Sequence, residues 1–426
     1  MSDLLRSSRM GWRACVAFAA VVAALSACSG GVPTYAPDYE RPSRELTPTF
    51  EGAPVLPPPD LTDDGPGSLV RVEPVSGNAS FDNSNSTAVR IVYRSTSGAA
   101  GTPTEVSGLV AVPPGQPPAG GWPVVSFGHE MIGVQPKCAP SLVGDFLGYA
   151  GQMTTFLNRG YVVVLSDFQG LGIEGQPHSV VDSAALGNNM IDAARAARRV
   201  LPSAGTRWAA FGVGEGGLAA WAAAERAPTY GAGLEMVGSV AVSPYADLTP
   251  LVDAAAAGTL APGEQSRLYM LALQSLANTS PGFDLDAYRT GLATERWATV
   301  TDCAPRNPNE ALRLLTEIPR DDFRPRDAGA TDDLRRRLGD AAVPTGPPAP
   351  GSVPVLVIYG TDDAVVPAAG IDRAVVRACA EGDPVEVMRR IGDSKPVNDQ
   401  VIGSALSWLL ARFDGQQLGD VCVGAT

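Results

Sequence analysis

The sequence predicts a doubly wound α/β architecture, with a mostly parallel sheet and a helical cap inserted into it. Three observations predict it. Val-rich runs bounded by glycine, such as Trp122 to Phe127 and Gly160 to Asp167, read as strands buried on both faces of a parallel sheet. Such runs alternate with helical segments, as expected of a sheet covered on both sides. Between Tyr245 and about Gly351 the strand signal stops, Ala-, Leu- and Arg-rich segments take over, and the sheet pattern then resumes.

In chain order, the first predicted strands are Leu69–Val75, Ala88–Ser95 and Glu105–Val112, separated by Gly, Asn and Ser turns. The strands at 122 and 160 follow. Ser183 to Leu201 is a helix with Met190, Ala193, Ala194, Ala197 and Val200 on one side. Trp208 to Phe211 reads as a buried strand, a glycine cluster turns the chain, and Leu218 to Arg226 is rich in helix formers. A strand at Met236–Ser243 precedes the cap, 245–351, with helices over Gly263–Ala277, Asn309–Glu317 and Asp332–Leu338. Strands at Val353–Gly360 and Pro384–Ile391 and a helix at Asp399–Phe413 complete the folded part, 68–426. A cap inserted there lies over the open strand ends where ligands bind in such sheets.

The N-terminus carries Arg6, Arg9 and Arg13, an apolar run from Ala14 to Ala24, and then Leu25-Ser26-Ala27-Cys28. A basic start, a short apolar core and small residues at the cleavage point make an export signal over 1–28, and the run is too short to span a bilayer. The ending resembles a bacterial lipobox, which makes Cys28 the expected lipidated first residue. Met10 serves equally well as a start. Residues 29–67, rich in Pro, Gly, Thr and acids and containing Pro57-Pro58-Pro59, read as a spacer. The precursor carries −13. The leader holds one Asp against three Arg, so its removal leaves −15. That charge excludes nucleic acid and electrostatic docking on anionic lipid, so the expected membrane partner is reached through the acyl anchor alone.

Beyond Cys15 and Cys28 four cysteines remain, an even number in an exported chain, which favours two disulfides over a metal or redox centre. Three connectivities are open. Cys138–Cys303 would pin the cap to the core and Cys379–Cys422 would staple the C-terminal tail, and these are the pairs expected.

The turn Gly212-Val213-Gly214-Glu215-Gly216 lies between strand and helix. With Trp122-Pro-Val-Val-Ser-Phe-Gly-His-Glu-Met-Ile-Gly-Val-Gln-Pro-Lys-Cys-Ala-Pro-Ser141, Ser166-Asp-Phe-Gln-Gly-Leu-Gly172 and Tyr359-Gly-Thr-Asp-Asp-Ala-Val-Val-Pro367, it makes the chain resemble the secretory lipase family of α/β-hydrolases, from about Leu69 to Phe413. The resemblance implies acyl-ester hydrolysis by a Ser-Asp-His triad under a cap. The residues depart from it. The nucleophile elbow G-x-S-x-G holds Gly214 at its serine. The family acid falls on Asp363, with Asp362 a second register. The family histidine falls near Ser394, in a loop without histidine; a rearranged site would draw on Ser394, Lys395, Glu215 or Asp363, a Ser-Lys pair being chemically possible. The chain's two histidines, His129 and His178, both precede the elbow. In the oxyanion loop His129 and Gly133 match, but Glu130 replaces a glycine and would oppose developing negative charge.

The expectation is therefore a lipase-like pseudoenzyme, with Gly214, Asp363 and Ser394 as vestigial positions and a pocket for an apolar or acyl ligand or a protein partner. The alternative is an active ester hydrolase with a rearranged site. His129 is expected to pack the loop and His178 to lie at a surface or pocket rim. Glu130, Glu215 and Asp363 are expected as solvated or neutralised carboxylates, an acidic pocket being the alternative. No cofactor or metal is implied: Gly212, Gly214 and Gly217 have dinucleotide-turn spacing, but no acid follows the next strand to hold a ribose.

Overall fold

The computed structural model describes residues 54–98, 101–303, 308–393, 398–416, 418–419 and 421–422. Cys28, Ser394 and Lys395 lie outside them.

Nine strands among the described residues form one sheet in the order β1-β2-β3-β5-β4-β6-β7-β8-β9. β1 (Leu69–Val75), β2 (Thr87–Ser97) and β3 (Thr102–Val112) are antiparallel, and β3 joins β5 (Val162–Ser166) in the same sense. From there β5, β4 (Trp122–Gly128), β6 (Ala204–Val213), β7 (Glu235–Val242), β8 (Val355–Gly360) and β9 (Val385–Arg390) are all parallel. The Val-rich runs are the inner parallel strands, and all five residues of β5 and all six of β8 are buried.

The helices, in chain order, are α1 (Ala79–Asn83), α2 (Tyr149–Leu157), α3 (Ser183–Val200), α4 (Glu215–Tyr230), α5 (Thr249–Ala257), α6 (Glu264–Thr279), α7 (Gly291–Val300), α8 (Pro308–Thr316), α9 (Ala328–Asp340), α10 (Ala368–Glu381) and α11 (Asp399–Phe413). α3, α4 and α10 share one buried cluster on one face of the sheet, while α2 and α11 bury Phe156, Trp408 and Phe413 in a second. α3 starts where the Asp182 carboxylate accepts the Ala185 N–H at 2.9 Å. Its small residues face α4 closely: a Cβ on Gly187 would stand 2.9 Å from the Ala222 carbonyl carbon. Overpacking that seam by even a few methylenes would cost about 1–3 kcal/mol.

Between β7 and β8 the chain is helical, α5 to α9, and buries Leu268, Tyr269, Leu271, Trp297 and Phe323 in the same cluster as α3 and α4. Three ties join this stretch to the loops at the strand ends. Cys138 and Cys303 form a disulfide, Arg267 Nη2 donates to the Ile132 carbonyl at 2.8 Å, and the Val180 N–H donates to Ser275 Oγ at 2.9 Å. A second disulfide, Cys379–Cys422, fixes the C-terminal residues beside β9.

Two expectations shift. α4 begins at Glu215, directly after the elbow residue, and runs to Tyr230 rather than starting at Leu218. The end of the spacer, from residue 54, has no regular structure but rests on the fold: Asp63 pairs with Arg199, and Thr87 Oγ donates to the Pro54 carbonyl at 2.7 Å.

Candidate functional site

The elbow is built by backbone packing that only glycine permits. A Cβ on Gly212 would fall 2.0 Å from the Gly216 carbonyl oxygen, and one on Gly216 would fall 2.2 Å from that of Gly128, so β4, β6 and the start of α4 touch through their main chains. The Gly216 N–H donates to the His129 carbonyl at 2.9 Å, tying the oxyanion loop to the first turn of α4. Gly214, between β6 and α4, has φ +58° and ψ −113°. That conformation is strained for any residue with a side chain. The turn that presents a nucleophile is thus kept, with no nucleophile on it.

The space is also taken. A Cβ on Gly214 would lie 3.1 Å from Tyr245 Oη and 3.2 Å from two of its ring carbons. Tyr245 follows the end of β7, its N–H donates to the Gly214 carbonyl at 3.2 Å, and its side chain is buried. Burial pushes its phenol well up, and the Glu130 and Glu215 carboxylates push the same way, so it stands over the elbow as a neutral ring. Sequence reasoning missed Tyr245, which has no motif of its own and reaches the elbow only through the bend at Ser243, where φ is +41°.

Glu215, the first residue of α4, is buried. Its Oε1 lies 2.7 Å from His178 Nε2, and both side chains are wholly inaccessible. The contact is close but off the hydrogen-bond direction, and neither Glu215 oxygen has another partner among the described residues. His178 Nδ1 faces the Gln169 carbonyl at 2.8 Å. Both ring nitrogens thus face acceptors. Burial lowers the imidazole's proton affinity, but the Glu215 carboxylate and the two contacts outweigh it and hold it above the ordinary value. The α4 N-terminus favours the carboxylate of such an ion pair. One expectation is corrected here. His178 is no surface or rim residue, because the 177–178 backbone packs onto Gly170, where a Cβ would stand 2.2 Å from the His178 nitrogen. Of the two states expected for Glu215, solvated or neutralised, the structure leaves the second: its carboxylate lies against His178, away from solvent.

The other candidates are scattered. His129 is buried, with Nδ1 2.6 Å from the Glu130 carbonyl, Nε2 3.2 Å from that of Asp167, and its ring 4.8 Å from Phe168. It packs the loop, and neither nitrogen meets a hydroxyl. The Glu130 N–H donates to Tyr149 Oη at 3.1 Å. The Glu130 side chain reaches water, yet protein crowds it. That burial, with the Asp363 and Glu264 carboxylates nearby, raises its carboxyl above the usual range. Asp363 Oδ1 accepts the Val365 and Val366 N–H groups at 2.9 and 3.1 Å, which is turn capping. A further buried acid, Asp167, which sequence reasoning also left out, accepts from Ser107 Oγ at 2.5 Å, from the Ser141 N–H at 2.9 Å and from Ser141 Oγ. It serves the Cys-Ala-Pro-Ser turn. Neither histidine therefore has a nucleophile beside it, and three cavities among the described residues lie away from Gly214.

A model of the secretory lipase family matches residues 150–421, more than half of the chain and with the elbow inside it. The chain belongs to the secretory lipase family. Among curated proteins, a probable inactive lipase of Mycobacterium tuberculosis (strain CDC 1551 / Oshkosh) is similar to this chain, 27% identical over 361 residues, covering 80% of this chain and 76% of that one. Candida antarctica lipase A in its closed state superposes with a TM-score of 0.66 at 16% identity, covering 84% of each chain. The rice cell wall degrading esterase LipA of Xanthomonas oryzae gives 0.64 at 18% identity, over 83% of this chain and all of that one. The fold of this secretory lipase family member is thus the α/β-hydrolase fold.

Proposed function

We propose that this member of the secretory lipase family is a non-catalytic protein of the cell envelope, exported, held at the outer face of the membrane by a lipid on Cys28, and acting by binding an apolar or acyl ligand or a protein partner. The observation that carries the reading is Gly214 at the elbow with Tyr245 against the position a nucleophile would occupy. Two further facts support it. The chain has two histidines, and the ring of each is engaged by backbone carbonyls or by Glu215. The Glu130 N–H, in the oxyanion loop, already donates to Tyr149. The name of the mycobacterial relative, a probable inactive lipase, points the same way.

The test is hydrolysis of short-chain p-nitrophenyl esters by the purified native chain. The reading expects rates equal to buffer. Turnover that survives purification and is lost on Asp363→Ala would overturn it in favour of an active ester hydrolase with a rearranged site. The anchor is tested separately: Cys28→Ser should abolish palmitate incorporation and move the protein from the membrane to the soluble fraction.

A further inference from the structure

Far from the elbow, about 15 Å along α4 at a rise of about 1.5 Å per residue, a second acidic residue faces a cavity. The cavity measures about 100 Å³ and is lined by Glu225, Asp383, Trp221, Pro228 and Pro347–Pro348. A buried water needs roughly 10–15 Å³ by the same kind of measure, so the space holds a small molecular group rather than one solvent molecule.

Two buried oxygens in its wall have no partner, Glu225 Oε1 and Asp383 Oδ2. The Glu225 carboxylate is held by a side-chain partner, and Asp383 by its backbone. Glu225 Oε2 accepts from the Thr345 N–H at 3.1 Å and from Thr345 Oγ at 2.9 Å, which fixes that carboxylate and leaves Oε1 unused. Asp383 is 8% exposed, its N–H donates to the Ala378 carbonyl at 2.9 Å, and the Cys379–Cys422 disulfide flanks it. Burial pushes the Glu225 carboxyl up to about 7 and that of Asp383 up to about 6, so above those values two ionised, unsatisfied oxygens line the cavity at a cost that a cation would offset.

We propose that this cavity is a binding site for a primary alkylammonium group, with Glu225 Oε1 and Asp383 Oδ2 as its charged acceptors and the proline wall as the seat of the alkyl stem. Charge sets the sign of the ligand. The choice of an amine over a metal follows from the donor set: a hard cation such as calcium takes about 6–8 oxygens, and no group of three or more metal-ligating side chains occurs among the described residues. An ammonium offers three donors, and the two carboxylate oxygens would take two of them. Pro228, Pro347, Pro348 and Val353 give a methylene chain an apolar surface that a hydrated ion would not use.

The test is isothermal titration of the purified chain with n-butylammonium chloride at constant ionic strength, beside 1-butanol, calcium chloride and Nα-acetyl-lysine methylamide. Saturable binding of the ammonium, with none for butanol, is expected. Asp383→Asn and Glu225→Gln should each weaken it at least about tenfold, the loss of one charged acceptor. Ala349→Phe, in the loop wall, should block it without touching either carboxylate, and the thermal midpoint of each variant reports whether it is folded. Tighter binding of the lysine derivative identifies the source as a polypeptide, and tighter binding of butylammonium a free amine; both support the site. No saturable ammonium binding, binding unchanged in all three variants, butanol binding as well as the amine, or calcium binding more tightly and vanishing in the same variants would each overturn the proposal.

Discussion

Gly214 carries two separate obstacles to a serine. Its φ of +58° makes any side chain strained, and Tyr245 crowds the Cβ position. Gly214→Ser is therefore expected to lower stability by about 1–3 kcal/mol in denaturant unfolding and to gain no esterase activity on its own. The buried pair gives a sharper test. Removing one partner from a buried ion pair costs about 3–5 kcal/mol, so Glu215→Gln should destabilise the chain by that order. The pair also sets a pH dependence. Folded His178 keeps its proton above the ordinary imidazole value, whereas an unfolded histidine loses it near about pH 6.5. Its stabilisation is thus complete below about pH 6.5 and is lost as pH rises through the raised folded value. Unfolding free energies measured from pH 6 to 9 should fall as pH rises in the native chain and fall less in His178→Gln, the remainder coming from the raised Glu225 and Asp383 carboxyls. At this scale the sequence was half legible. The missing serine and histidine are visible in Gly214 and in the loop around Ser394, since a motif fixes where each should be. The Glu215–His178 contact and the Tyr245 plug were not visible, because each joins residues about thirty or more positions apart through loops whose path no local pattern encodes.

Among the elements, the inner strands were the most legible, because Val-rich runs closed by glycine have one stable use, burial on both faces of a parallel sheet. β4, β5, β7 and β8 fall where those runs stand. Boundaries moved where packing overrode composition: α4 starts at Glu215 because the glycines that look like turn residues are needed for the backbone contact among Gly128, Gly212 and Gly216. Helices α5 and α7 are short and carry weaker signals. The Cys138–Cys303 disulfide links the helical stretch after β7 to the loop after β4 across a sequence separation of 165. Loss of such a link costs about 2–5 kcal/mol, so Cys138→Ser/Cys303→Ser should lower the unfolding free energy by that order and increase proteolysis within 245–351.

For the whole molecule, an α/β-hydrolase sheet and elbow turn surround a position that carries glycine. The sheet and the elbow turn are present, Asp363 caps a turn, the elbow residue has no hydroxyl, and the Glu130 N–H in the oxyanion loop is bonded to Tyr149. A scaffold of this kind can hold a ligand without transforming it, since binding needs shape and partners whereas acyl transfer also needs a nucleophile with a base in hydrogen-bond reach. The most direct measurement is covalent labelling by a fluorophosphonate probe, comparing the native chain with a Gly214→Ser/Tyr245→Ala/Ser394→His variant that supplies the nucleophile, the space and the base together. The account predicts no labelling of the native chain and labelling at residue 214 in the variant. Stoichiometric labelling of the native chain at any serine, accompanied by ester turnover, would contradict it.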